Sequence, residues 1–174
     1  FSMLTGCGSS GGSERAEESK MIMGIECADA ISFDIANGDY ALNFVLRRCL
    51  YEPLVHVDPI TGEEEMRLAD SYTVSDDNTV YTFKLKSDGN VLTADDVVYS
   101  LNMTKESEYV GKNLASMESA KAIDDQTVEV TLTAPYAAFM KNLSMVFILS
   151  ANAYEGKGAD GFDAAPVGCG PYKF

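Results

Sequence analysis

Leu92-Thr93-Ala94-Asp95-Asp96-Val97-Val98-Tyr99-Ser100 reads as the opening of a helix. Thr93 stands at the cap position with Asp96 three residues on, so each side chain can satisfy the other's otherwise unpaired backbone amide. Asp95 and Asp96 also fall in the first turn, where the helix dipole favours negative charge. Val97, Val98, Leu101 and Thr104 recur at helical spacing and predict a buried stripe. A helix start therefore accounts for both carboxylates, and the pair is not read as a metal clamp.

On either side of this helix lie two hairpins with one local grammar. In the first, Tyr72 to Ser75 turns at Asp76-Asp77-Asn78 into a strand with Tyr81, Phe83 and Leu85 alternating on one face. In the second, Ala120 to Ile123 turns at Asp124-Asp125-Gln126 into a strand with Val128, Val130 and Leu132 alternating. Paired aspartates invite an acid–base interpretation. At turn positions, however, Asp bonds its own backbone and tolerates unusual dihedrals, so turn chemistry is the expected role.

Further out, Lys20-Met21-Ile22-Met23-Gly24-Ile25 predicts a short buried strand, and the residues from Asp34 to Gly38 a loop. Asp39 is placed to cap a helix whose Leu42, Val45, Leu46, Cys49 and Leu50 fall on one face, which puts Cys49 in the core. Leu54-Val55-His56-Val57 predicts a strand ending at the turn Asp58-Pro59-Ile60-Thr61-Gly62. His56 is the only histidine, and with no partner at ligand spacing it is expected to be a polar residue on a strand face. A further helix is expected over 136–143, opened by Pro135, and then a strand over 146–149.

Hydrophobic residues make up 46% of the 174-residue chain and charged residues 23%, the proportions of an ordinary globular chain. The formal net charge is -14 and no Lys/Arg cluster interrupts it, which opposes nucleic-acid binding. No apolar run approaches the roughly 20 residues that span a bilayer. G-x-S-x-G, H-E-x-x-H, P-loop and dinucleotide signatures are absent, so no enzyme and no cofactor is indicated. Cys27, Cys49 and Cys169 are well separated and form neither a zinc motif nor a disulfide framework.

The chain opens Phe1-Ser2-Met3-Leu4-Thr5-Gly6-Cys7 and passes abruptly into the Gly/Ser stretch Gly8-Ser9-Ser10-Gly11-Gly12-Ser13, a flexible tether. Leu4-Thr5-Gly6-Cys7 resembles the bacterial lipobox, whose cysteine is acylated and becomes the mature first residue. That resemblance makes Cys7 a lipid anchor, residues 1–19 a lipobox remnant with its tether, and Phe1 a start from which earlier residues have been lost.

Several strings, in order, resemble the extracellular solute-binding proteins, family 5, that serve peptide and nickel ABC importers. Leu50-Tyr51-Glu52-Pro53-Leu54-Val55 and Asp58-Pro59-Ile60-Thr61-Gly62-Glu63 are similar to its opening motif. Leu68-Ala69-Asp70-Ser71-Tyr72, with Ser75-Asp76-Asp77 and Tyr81-Thr82-Phe83, resembles its L-A-x-S-W segment and the following strand. The 92–100 string is its most recognisable stretch, and Pro166-Val167-Gly168-Cys169-Gly170-Pro171-Tyr172 resembles its P-V-G-T-G-P-Y segment. The chain departs from the pattern in having Tyr72 for Trp and Cys169 for Thr, in a shortened stretch over 85–92, and in stopping at Phe174 where the family continues.

The resemblance implies an α/β, periplasmic-binding-protein-like (type II) two-lobed fold, of which residues 20–174 are most of the first lobe. It also implies the substrate-binding component of an ABC importer, which captures di- or oligopeptides outside the membrane and delivers them to permease subunits. A nickel chelate, a sugar, or a sensory receptor on the same scaffold remain alternatives. The implied location is the outer face of the cytoplasmic membrane or the periplasm, held by the lipid on Cys7. Glu26, Cys27, Ala28 and Asp29 match the loop whose backbone meets a peptide in relatives, and Tyr109 matches an aromatic side wall. Because half of the enclosing surface is missing, tight binding by this chain alone is not expected.

Overall fold

The structure, a computed structural model, describes residues 32–37, 41–87 and 92–172, without the side chains of residues 41 and 42. The expectations at Cys7, at Glu26, Cys27, Ala28 and Asp29, for a strand over 20–25 and for a cap at Asp39 lie outside the described residues.

Among the described residues, six strands form two antiparallel sheets. A two-stranded ribbon pairs β1 (Val55–Val57) with β2 (Glu64–Met66). Its turn is closed by Asp58, whose Oδ1 accepts from the amides of Ile60 (2.8 Å) and Thr61 (2.7 Å), and by Gly62 at φ 76°. Those two donors hold the Asp58 carboxyl below the usual carboxylate range. The larger sheet joins β3 (Ala69–Val74), β4 (Val80–Leu85), β5 (Met117–Asp124) and β6 (Thr127–Leu132) in the order β3-β4-β6-β5.

Both expected hairpins form. Asp77 accepts from Ser75 Oγ (2.6 Å) and the Thr79 amide (3.2 Å), while Asp124 accepts from the Gln126 amide (2.9 Å) and Thr127 Oγ1 (2.8 Å). The aspartates thus do turn work, as anticipated. Alternation sends Tyr81, Phe83, Leu85, Val128, Val130 and Leu132 to one buried face, and leaves Thr82, Lys84, Glu129 and Thr131 on the other.

The buried face is covered by α2 (Ala94–Glu106) and the short α3 (Phe139–Leu143). At the start of α2 the capping box is present: the Thr93 amide donates to Asp96 Oδ2 (2.8 Å) and the Asp96 amide donates to Thr93 Oγ1 (3.5 Å). Ala94, Val97 and Leu101 are fully buried, and the Phe139 ring lies 4.7 Å from that of Tyr81. Ile35, Leu50, Tyr51, Phe147, Leu149 and Phe162 build a second apolar cluster, shared by α1 (Ala41–Leu50) and α4 (Ala151–Ala164).

Four expectations are corrected. In α1, Leu50 is buried, but Val45 is 50% exposed, and the polar Asn43 and Arg47 are buried instead. Arg47 donates to the Asn37 carbonyl, and this bond draws the polar side of the helix inward onto the 32–37 loop. Cys49, only partly buried, points its thiol at the Val45 carbonyl (3.5 Å) and is not a core residue. Residues 136–138 form a turn that bonds Phe139 N to Tyr136 O (3.0 Å), so α3 is shorter than the 136–143 helix expected. The strand expected over 146–149 makes only single bridges, Ile148 to Glu52 and Leu149 to Gly168, because these two neighbouring residues meet different partners.

Candidate functional site: an apolar groove beside helix α1

Along α2, Asp96, Ser100 and Thr104 are spaced four residues apart, so they line one face. All three are buried. Asp96 Oδ1 accepts from the Ala151 amide (2.8 Å), which ties the start of α4 to the start of α2. Ser100 Oγ accepts from the Leu149 amide (3.1 Å) and donates to the Asp96 carbonyl (2.7 Å). Thr104 Oγ1 is 2% exposed by residue and has no hydrogen-bond partner among the described residues. A buried hydroxyl left in this state costs about 1–3 kcal/mol relative to a paired one.

Thr104 borders a groove of about 470 Å³. Ile35, Phe44, Val45, Val110, Met145 and Phe147 give it apolar walls, with Arg47, Lys112 and Asn113 among its polar members. The Phe44 and Phe147 rings stand 5.2 Å apart at 51°, and Val45 and Met145 leave about half of their surface open. The apolar periodicity of α1 thus marks a groove wall as well as a core face. Arg47 is 3% exposed, and burial lowers its pKa against the opposing fields of Asp34, Tyr51 and Asp163. The fields of Asp34 and Asp163 favour the charged guanidinium in its buried place.

One wall is the 32–37 loop, stitched down from several sides. Ser107 Oγ donates to the Ala36 carbonyl (2.5 Å), Tyr154 Oη donates to Asp34 Oδ2 (2.8 Å), and Asp34 Oδ1 accepts from the Ala36 amide (2.8 Å). Tyr109, the expected aromatic wall, is half-exposed and immediately precedes Val110, which lines the groove; its own amide donates to Ser107 Oγ (3.2 Å). Tyr109 therefore adjoins the site without being one of its lining residues. Phe44, Thr104, Val110, Met145 and Phe147 were not anticipated as site residues. The apolar face of α1 was a sequence signal for Phe44 alone; the others come from α2 and from loops that only the fold brings beside it.

His56 lies apart, 3.0 Å from an Arg48 side-chain nitrogen on the surface, in the strand-face role expected of it. Among the described residues no three His, Cys, Asp or Glu side chains are grouped to hold a metal ion. Among the described residues, too, no helix is long and apolar enough to cross a membrane.

An α/β lobe with an open apolar groove on one side is the architecture of a binding protein. The chain belongs to the bacterial extracellular solute-binding proteins, family 5: the family model, described as the family's middle portion, matches residues 63–174. The glutathione-binding protein GsiB of Pectobacterium atrosepticum is 32% identical over 158 residues, an alignment that takes in 82% of this chain and 29% of that protein. Among solved structures, MoaA of A. tumefacien R10 in complex with mannopinic acid superposes at a TM-score of 0.71 with 31% identity, covering 83% of this chain and 32% of that one. DppA of Helicobacter pylori in complex with the peptide STSA superposes at 0.70 with 28% identity, covering 84% and 35%. The chain therefore spans about a third of the length of the relatives that it matches, which is a partial lobe. Its family is one of solute-binding proteins, not of enzymes.

Proposed function

We propose that this chain is part of the substrate-binding component of an ABC importer, and that the groove beside α1 faces the solute and takes an apolar portion of a peptide. The observation that carries this is the groove itself: aromatic and aliphatic walls on a rigid lobe, with Val45 and Met145 half-exposed at its edge. An apolar side chain entering there would remove those surfaces from water at about 25 cal/mol per Å². The apolar walls favour an uncharged side chain, with Lys112 at the lining as the cation nearest to hand for a peptide carboxylate. Export with a lipid on Cys7, and delivery to permease subunits, belong to the same proposal. So do a boundary between tether and lobe near residue 20 and a contribution of Glu26, Cys27, Ala28, Asp29 and Tyr109 to solute binding.

Isothermal titration of the chain with glutathione, Ser-Thr-Ser-Ala and trileucine tests the proposal, with Val45→Arg as the blocking variant, since a half-exposed residue can be enlarged without entering the core. Trileucine is expected to bind weakly, with Kd on the order of millimolar because one lobe encloses only one side of it, and Val45→Arg to abolish the heat. Equal heats for wild type and variant, or none with any of the three peptides, contradict the groove assignment. Micromolar affinity contradicts the expectation that the chain alone binds weakly.

A further inference from the structure

We infer that Asp163, on the last turn of α4 and outside the groove, is a positioning residue for the groove wall at Ile35; this rests on the groove being the solute-facing surface. Asp163 Oδ1 accepts from the Phe33 amide (2.7 Å) and the Asp34 amide (2.9 Å), and Oδ2 accepts from Ser32 Oγ (3.0 Å). One carboxylate thus gathers three consecutive residues, and Ile35, the next in sequence, lines the groove. Bonds from backbone amides to an ionised acceptor are about twice as strong as neutral ones.

The anchor is itself rigid. Phe162, the residue before Asp163, is fully buried, with its ring stacked 6.4 Å from Tyr51 and tilted 5.1 Å from Tyr154. Gly158, at φ 68° and ψ 171°, breaks the helical path of α4 and lets its last turn take its own direction toward the loop. The segment that follows docks at once on α1, with the Gly170 amide donating to the Leu50 carbonyl (2.8 Å) and the Tyr172 amide to the Cys49 carbonyl (3.0 Å). Asp163 therefore stands where α4, the departing segment and the groove wall meet. The bonds from Tyr154, Ser107 and Arg47 fall further along the loop, on Asp34, Ala36 and Asn37, while Asp163 takes up its approach at Ser32 and Phe33.

The test compares Asp163→Ala, Asp163→Asn and the control Asp160→Ala, an exposed carboxylate on the same helix. Asp163→Ala is expected to lower the hydrogen-exchange protection of the Phe33 and Asp34 amides by about tenfold or more. It is also expected to shift the Ile35 methyl resonance and to weaken trileucine binding by about tenfold, as the three bonds to the carboxylate are lost together. Asp163→Asn keeps the Oδ1 acceptor and should restore the Ile35 resonance and most of the affinity, and Asp160→Ala should change nothing. An Ile35 methyl at its wild-type position in Asp163→Ala overturns the inference, as does a shift shared equally by the core methyls of Leu101 and Val128. If the wild-type chain binds no peptide, the assignment of the groove fails, while the exchange and methyl measurements still decide the role of Asp163.

Discussion

Cys169 stands in the segment where the family pattern has threonine, and burial pushes its thiol up to about 11. The unfolded thiol titrates near 8.5, so the folded chain keeps its proton where the unfolded one loses it. Stability tied to this group is accordingly complete below pH ~8.5 and declines as pH rises toward the folded value. Cys169 is partly buried, so iodoacetamide should alkylate it more slowly at pH ~8 in the folded chain than in denaturant; equal rates would contradict the raised thiol pKa. Among single residues, the turn roles of Asp77 and Asp124 and the cap at Thr93 were legible because each rests on neighbours within a few positions. The burial of Arg47 was not, because one of the two carboxylates that balance it, Asp163, lies far along the chain and is brought in by α4 alone.

Asp96 carries more of helix α2 than its capping role suggests, since it holds both the Thr93 amide and the amide that begins α4. Thr93→Ala is expected to cost about 1 kcal/mol, and Asp96→Ala about 1–3 kcal/mol because two part-buried amides then lose their acceptor. Urea denaturation measures both; equal losses would show that the bond to Ala151 contributes nothing. Hairpins and α2 were readable as elements because their periods of 2 and 3.6 residues coincide with the faces they bury. In α1 the period was right but the surface it marks is divided, so Val45, which lines the groove, and Cys49, which is only partly buried, were both assigned to the core. No helix was anticipated over α4, whose Gly156, Gly158 and Gly161 lower helix propensity; it is held by tertiary contacts at Asp96, Tyr154 and Phe162 instead.

Over the molecule as a whole, the departing segment is sealed to α1 by two glycines. A Cβ at Gly168 would lie 2.2 Å from the Leu50 carbonyl oxygen and 2.3 Å from Tyr51 Cδ1, and one at Gly170 would lie 2.4 Å from the Leu50 carbonyl carbon. Gly168→Ala must therefore push the segment off α1, at a cost of about 1–3 kcal/mol. Thermal unfolding should show it, and an unchanged midpoint would mean that the close approach is absent. The P-V-G-C-G-P-Y string could be recognised from sequence, whereas its docking against Tyr51, more than 100 residues earlier, could not.

The central claim is that Phe44, Val45, Val110, Met145 and Phe147 form the solute-facing surface of this lobe. Its most direct test is a methyl chemical-shift map of the chain during titration with trileucine. The account predicts shifts at Ile35, Val45, Val110 and Met145, with Val128 and Val130 in the sheet unmoved. Shifts centred on the sheet, or spread evenly over both regions, would contradict it.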